Sequence, residues 1–291
     1  MLLQFLINGI ASGALIAIMA IGFWFIYRAT SLFHIAHGGV YTAAAYIFYS
    51  LYISNGISLS LASLLSLTFS GILGLIMYFV VYSPLEKKHA SEGIKFISSL
   101  AIYIFIVNII ALIYGNETKM LSKWTSKSIS FGNIIIIKIQ IYEFISFLIL
   151  LMASYLFVKR TKSGRAIRAI GDNPLLFKAI GLNEKWVKGM VFVIGSAIAG
   201  VASILAGLDV GIDPRIGMSA LLNAVVAVIV GGVKKIEGVV LGAFLIAIIQ
   251  NLVIWQFSAR WESAATFLVL VIVLLYKSGG LLVVKRRIEE L

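Results

Sequence analysis

Apolar blocks of about 17–25 residues, separated by short polar or charged stretches, recur along the whole chain. At 1.5 Å of rise per residue, each block as a helix crosses roughly 30 Å of hydrocarbon. Composition agrees: 61% of the 291 residues are hydrophobic and 12% charged, with a mean hydropathy of +1.04. A water-soluble domain, at about 25% charged residues, has no way to hide so much apolar surface. Barrel walls would alternate apolar and polar residues, and the runs Ile16 to Phe25 and Phe267 to Leu275 do not.

The blocks predict spans at about 3–27, 34–54, 57–82, 95–114, 141–158, 188–208, 218–232, 238–256 and 262–282. The expected fold is an all-α integral membrane protein, a polytopic bundle of about eight or nine transmembrane helices forming one domain over residues 1–291. Pro84, Pro174 and Pro214, the three prolines, fall at predicted loops. Cysteine is absent, which excludes disulfides and thiolate chemistry. The first block lacks a small-residue cleavage site and reads as a retained helix.

The net charge of +12 is distributed as a membrane topology signal rather than as a nucleic-acid surface. Of 24 Lys and Arg residues, 18 lie in one set of alternate connections, including Arg28, the 159–188 loop, Lys234 with Lys235, and Lys285 to Arg287. Because cytoplasmic loops carry the basic excess, the C-terminus is expected inside and the N-terminus outside. The outer connection at 115–140, with Lys119, Lys123, Trp124, Lys127 and Ile134 to Ile137, reads as an exposed loop or a short interfacial element.

The inner loop at about 159–187 carries its own helix signals. Asp172 or Asn173 can cap, Pro174 suits the first helical position, and Gly181 suits a left-handed closing residue. Leu175, Leu176, Ala179 and Ile180 would form an apolar face beside the basic Arg165 and Arg168. So short a helix needs support, from a partner protein or from anionic lipid.

The run from Gly164 to Asn183 resembles the cytoplasmic coupling segment of the branched-chain amino acid permeases of bacterial ATP-binding-cassette importers, matching at Gly164, Arg165, Ala166, Arg168, Ala169, Asn173, Ala179, Gly181, Leu182 and Asn183. His34-Ile-Ala-His37-Gly38-Gly39 with Tyr41 and the small residues that follow resembles a second family motif, with His34 where Asn is usual. Val230-Gly231-Gly232 with Gly238 and Gly242 resembles a third, with Lys234, Lys235 and Glu237 in place of small residues and proline. Asn8-Gly9-Ile-Ala-Ser-Gly13 and Ile26-Tyr27-Arg28-Ala29 also fit.

The resemblance implies a permease subunit in the bacterial inner membrane, paired with a second similar or identical permease, two ATPases and an extracytoplasmic binding protein. It places ATPase coupling at Arg165, Arg168, Asp172, Asn173, Leu176, Ala179 and Gly181. This chain would bind no cofactor, since the phosphate-cradling Gly-x-x-x-x-Gly-Lys motif is missing; ATP and Mg²⁺ belong to the partner ATPase. An amino acid with an apolar side chain is the expected solute; related permeases for urea, amides or sugars, and a self-contained secondary transporter, are the alternatives.

Polar residues within spans are candidates for the solute path, because each is costly against lipid. From Gln4, Asn8, Asn108, Asn223, Gln250 and Asn251, the choice falls on Asn8 and Asn223, joined by His37, Gly38 and Tyr41 of the second motif. Gly195, Ser196, Ala199 and Gly200 read as a helix-packing face, not a hydrolase site. His34 and His37 lack a third ligand in sequence for a metal. Asp209, Asp213 and Arg215 read as an outward connection with Gly211 and Pro214, either a solvated turn or a contact for an external binding protein.

Overall fold

The computed structural model describes residues 2–121, 128–131, 134–179, 181–277 and 280–281. Lys123, Trp124, Lys127, Ile180 and the basic run from Lys285 to Arg287 lie outside them. Among the described residues seven helices are long and apolar enough to cross a bilayer. They are α1 (Leu2–Thr30), the continuous helix 59–87 that contains α3 (Leu59–Met77) and α4 (Ser83–Lys87), α5 (Glu92–Tyr114), α6 (Lys138–Arg160), α9 (Glu184–Val210), α11 (Ile236–Gln256), and 259–276, which contains α12 (Glu262–Tyr276). The last ends six residues before the expected boundary at 282.

The two other expected spans coincide with α2 (Ala36–Tyr49), which continues into a π-helical turn Ser50–Ser54, and the 16-residue α10 (Ile216–Gly231). Both are walled by protein: α2 by α3, α5, α9 and α10, and α10 by α1, α2, α11 and α12. That explains how α2 tolerates His37, Gly38, Gly39 and Thr42, all buried. Thr42 Oγ1 donates to the Gly38 carbonyl of its own helix at 3.1 Å, and His37 is covered by neighbouring helices rather than by lipid. The central stretch of α1, Ala17 to Ile26, is buried on every side against α6, α9, α10 and α11. The outer helices α5, α6 and α12 instead expose large apolar side chains such as Phe105, Leu112, Ile149 and Leu268, as lipid-facing walls do.

Without a hydrophobic difference between lipid and helix surface, close packing holds the bundle, and small residues permit it. At the α1–α9 crossing a Cβ on Gly22 would stand 2.7 Å from the Gly195 carbonyl, and one on Gly195 2.6 Å from the Gly22 carbonyl. The predicted small-residue face of α9 is two-sided. Gly195 and Ala199 meet α1, while Ser196 and Gly200 meet Gly74 and Ser70 of α3.

Pro84 is not in a loop. It lies in the first turn of α4, inside the unbroken helix 59–87, directly after a π-helical turn at Tyr78–Tyr82. Proline removes an N–H and collides with the carbonyl of the preceding turn. The wider i→i+5 turn relieves both problems, so the span runs on to Lys87 instead of ending near 82. Pro174 and Pro214 fit their expected places, at the start of α8 (Pro174–Ala179) and in the turn before α10.

The connection after α5 contains an antiparallel hairpin, β1 (Ser128–Phe131) with β2 (Ile134–Ile137), in the register Ser128↔Ile137 to Phe131↔Ile134. Gln4 pins it to α1. Its Nε2 donates to the Ile135 carbonyl and its Oε1 accepts from the Ile135 N–H, both at 2.8 Å. Lys119 and Ile212 exchange two backbone hydrogen bonds of 2.8 Å, tying the same connection to the turn after α9.

Candidate functional site

A cavity of about 310 Å³ opens among α1, α2, α9, α10, α11 and α12. One wall is apolar, from Leu15, Ile16 and Met19 of α1 with Ile254 of α11. The opposite side is polar: Tyr41, Asn223, Gln250 and Asn251, with the carboxylates Asp209 and Glu262. Gln250 organises this side. Its Nε2 donates to Asn223 Oδ1 at 3.1 Å and to Thr266 Oγ1 at 2.6 Å, joining α10, α11 and α12.

Two glycines set where Tyr41 and Asn223 stand. Gly38 of α2 and Gly217 of α10 meet backbone to backbone: a Cβ on Gly38 would lie 2.7 Å from the Gly217 carbonyl, and one on Gly217 would overlap the Gly38 carbonyl. Tyr41 stands three residues after Gly38 and Asn223 six after Gly217, so fixing the crossing fixes where both line the cavity.

Of the five residues expected on the solute path, the cavity therefore takes in Tyr41 and Asn223. Gly38 lies at the helix crossing. His37 is fully buried with its Nε2 against Gly22. Asn8 accepts from Gln4 Nε2 at 3.0 Å, one turn above Ser12 at the cavity edge. Asp209, read in sequence as part of an outer turn, and Glu262 line the cavity, because α9 runs to Val210 and α12 begins at Glu262. Sequence reasoning also passed over Glu143 of α6, only 1% exposed and lacking a hydrogen-bond partner among the described residues. Its signal was a lone carboxylate amid an apolar block, the kind that marks function in a membrane.

The histidine pair is built into the packing. His34 Nδ1 lies 2.8 Å from the Tyr82 hydroxyl and 3.4 Å from Ser99 Oγ, and Ser99 Oγ accepts from the Ala36 N–H at 2.9 Å. Together these join the start of α2 to the π turn and to α5. Among the described residues no group of three His, Cys, Asp or Glu is placed to hold a metal.

At the other end of α9, roughly 38 Å from Asp209 by helical rise, lies the loop that sequence singled out. It folds as two helices, α7 (Lys162–Asp172) and α8. The first was not expected. Thr161 Oγ1 caps it by accepting from the Gly164 N–H at 2.9 Å, and Gly164, Ile167 and Ile170 bury one face. Arg165 is on its exposed side, whereas Arg168 is half-buried. Its end is fastened to α1, with Arg28 Nη1 donating to the Gly171 carbonyl at 3.1 Å and Nη2 lying 2.5 Å from Asp172 Oδ1.

In α8, Asn173 is the cap, its Oδ1 accepting from the Leu176 N–H at 3.0 Å, and Gly181 closes the segment at φ +75°. Phe177 is the buried side chain of α8, at 2% exposed. Leu175 and Leu176 stand out at 81% and 58%, with Ala179 also exposed. A chain of charges holds α8 to the membrane helices. Lys178 pairs with Glu184 at 3.1 Å, Glu184 with Lys188 at 2.5 Å, and Lys188 with Glu86 of α4 at 2.8 Å. Asn173→Ala is expected to cost about 1 kcal/mol of local helix stability. Hydrogen exchange at Leu176 and Phe177 would show faster opening; unchanged protection would mean the cap is dispensable.

The arrangement suits a transporter: a partly open cavity with an apolar and a polar side at one end of a long helix, and an exposed, tethered helix pair at the other. Comparison with known proteins agrees. Residues 5–274 match the family profile described as branched-chain amino acid transport system / permease component. The chain is 29% identical to the high-affinity branched-chain amino acid transport system permease protein BraD of Pseudomonas aeruginosa, and 28% identical to LivH of Escherichia coli K12, in each case over 96% of this chain and 95% of the relative. Its fold is similar to a chain of PsaBC from Streptococcus pneumoniae, solved in complex with Fab, with a TM-score of 0.50 and 11% identity over 93% of this chain and 91% of that one. The chain belongs to the family of permease components of branched-chain amino acid transport systems.

Proposed function

We propose that the chain is the membrane-spanning permease subunit of an ATP-driven importer for branched-chain amino acids. The family match across residues 5–274 carries this reading. The cavity supports it: Asp209 and Glu262 suit a substrate ammonium group, Asn223 and Gln250 supply neutral polar contacts, and Leu15, Ile16 and Met19 suit an aliphatic side chain. The subunit works in the bacterial inner membrane as one domain with its N-terminus outside, beside a second permease. An extracytoplasmic binding protein delivers the solute.

ATP and Mg²⁺ are bound by two partner ATPases, which dock on α8. Closure of the ATPase pair would push α8. The Lys178–Glu184–Lys188–Glu86 chain would pass that movement to α9 and α4, and so to the cavity at the far end of α9. Differential affinity of the ATPases for the two arrangements supplies the energy.

Uptake of radiolabelled leucine by proteoliposomes holding the complete importer tests this. Asp209→Asn is expected to reduce uptake about tenfold, the consequence of losing roughly 1.4 kcal/mol of charge-assisted binding, while the ATPases still co-purify. Uptake by the unmodified importer that persists without ATP and follows an ion gradient would sink the reading.

A further inference from the structure

A second cavity, of about 290 Å³, opens where the ends of α1, α6 and α7 meet the turn between α10 and α11. Its rim carries four cations, Lys159, Arg168, Lys234 and Lys235, against one carboxylate, Glu237. Lys159 is already partly engaged: Nζ lies 3.6 Å from Glu237 Oε1, donates to the Tyr155 hydroxyl, and sits 4.0 Å above the Tyr155 ring. Among the described residues the other three cations pair with no carboxylate, and Arg168 Nε is buried with no hydrogen-bond partner. The turn is fastened to α1 by Trp24, whose Nε1 donates to the Val233 carbonyl at 2.7 Å. α11 also begins here, with no side chain capping its first N–H groups.

Such a site asks for an anion with several acceptor oxygens. We propose that it binds a phosphate-bearing anion, and that the occupant is the headgroup of an anionic phospholipid. The position favours lipid over a soluble phosphate. The cavity floor is apolar, formed by the buried Trp24, Val158 and Ile236. Directly along α6 from Tyr155 and Lys159, the side chains of Ile149, Met152 and Leu156 form an exposed apolar stripe at helical spacing, on which an acyl chain can lie. The basic residues at 234 and 235, which interrupt the glycine pattern of that turn, thereby acquire a role.

Native mass spectrometry of the full chain in detergent, titrated with phosphatidylglycerol, tests the assignment. One phosphatidylglycerol per chain is expected to survive delipidation, with phosphatidylcholine of the same acyl chains retained far less. The double variant Lys234→Gln/Lys235→Gln is expected to weaken retention roughly 30-fold, from about fivefold for each basic residue near a membrane surface. The control Lys87→Gln/Lys88→Gln, remote from the cavity, is expected to retain the lipid. Should the first variant fold poorly, Glu237→Gln removes the competing carboxylate and is expected to tighten retention. Equal retention of phosphatidylcholine, or no change in either variant, overturns the proposal. Displacement of the lipid by millimolar inorganic phosphate alone would assign the site to a soluble anion and overturn the lipid reading.

Discussion

Gly217→Leu is expected to lower the melting temperature of the purified chain by on the order of 10 °C, because overpacking at a backbone crossing costs about 3 kcal/mol. The added Cβ would overlap the Gly38 carbonyl and lie 2.5 Å from Thr42 Oγ1. Both obstacles belong to the interior of α2, which is packed by four helices and cannot retreat. The effect should extend beyond stability. The same crossing fixes where Tyr41 and Asn223 line the cavity, so any protein that survives is expected to transport poorly. Thermal unfolding followed by fluorescence-detected gel filtration measures the first effect and leucine uptake the second. A variant that melts like the parent would mean that α2 and α10 do not cross at these glycines.

The second large effect concerns Leu175 and Leu176. Both side chains project from α8 into solvent, while Phe177 turns inward and Lys178 pairs with Glu184 of α9. Leu175→Asp/Leu176→Asp is expected to leave the permease folded, with an unchanged melting temperature, and to weaken ATPase association more than 100-fold. Each buried leucine contributes about 2 kcal/mol to such an interface, and each aspartate would have to be desolvated without a partner. Co-purification with the ATPases measures the loss. Phe177→Ala serves as the contrast, since it should lose the ATPases and lower stability together. Full ATPase retention by the double aspartate variant would place the docking surface elsewhere.

Much of this could be read before any coordinates, for identifiable reasons. Membrane spans announce themselves because each must carry an unbroken apolar block, and the ends of α8 were legible because Asn173, Pro174 and Gly181 each meet a local backbone requirement. Features that depend on a neighbour were not legible. α7 was hidden because its basic residues dominate the composition, although Ile167 and Ile170, at a spacing of three and following the capping Thr161, carried the pattern. Pro84 looked like a loop residue, since nothing local forecasts a π turn ahead of it.

Ile134 to Ile137 fits helix or strand equally until its pairing with Ser128 to Phe131 is known. Asp209 reads as a turn residue from its proximity to Gly211 and Pro214, and only the assembly of six helices makes it part of a cavity. Phe177, not the leucines beside it, proved to be the buried side chain of α8, because a six-residue helix is too short for periodicity to say which face turns inward.

The π turn at Tyr78–Tyr82 makes the length of its helix a constraint separate from its composition. A π turn holds one residue more than an α-helical path through the same hydrogen-bonded frame. Deleting one residue there would let the segment relax to regular α-helix and turn everything beyond it by about 100°. Glu86 would swing away from Lys188, and Tyr82 away from His34. Side chains in this stretch are therefore exchangeable within limits of size, whereas the residue count between Met77 and Glu86 is not.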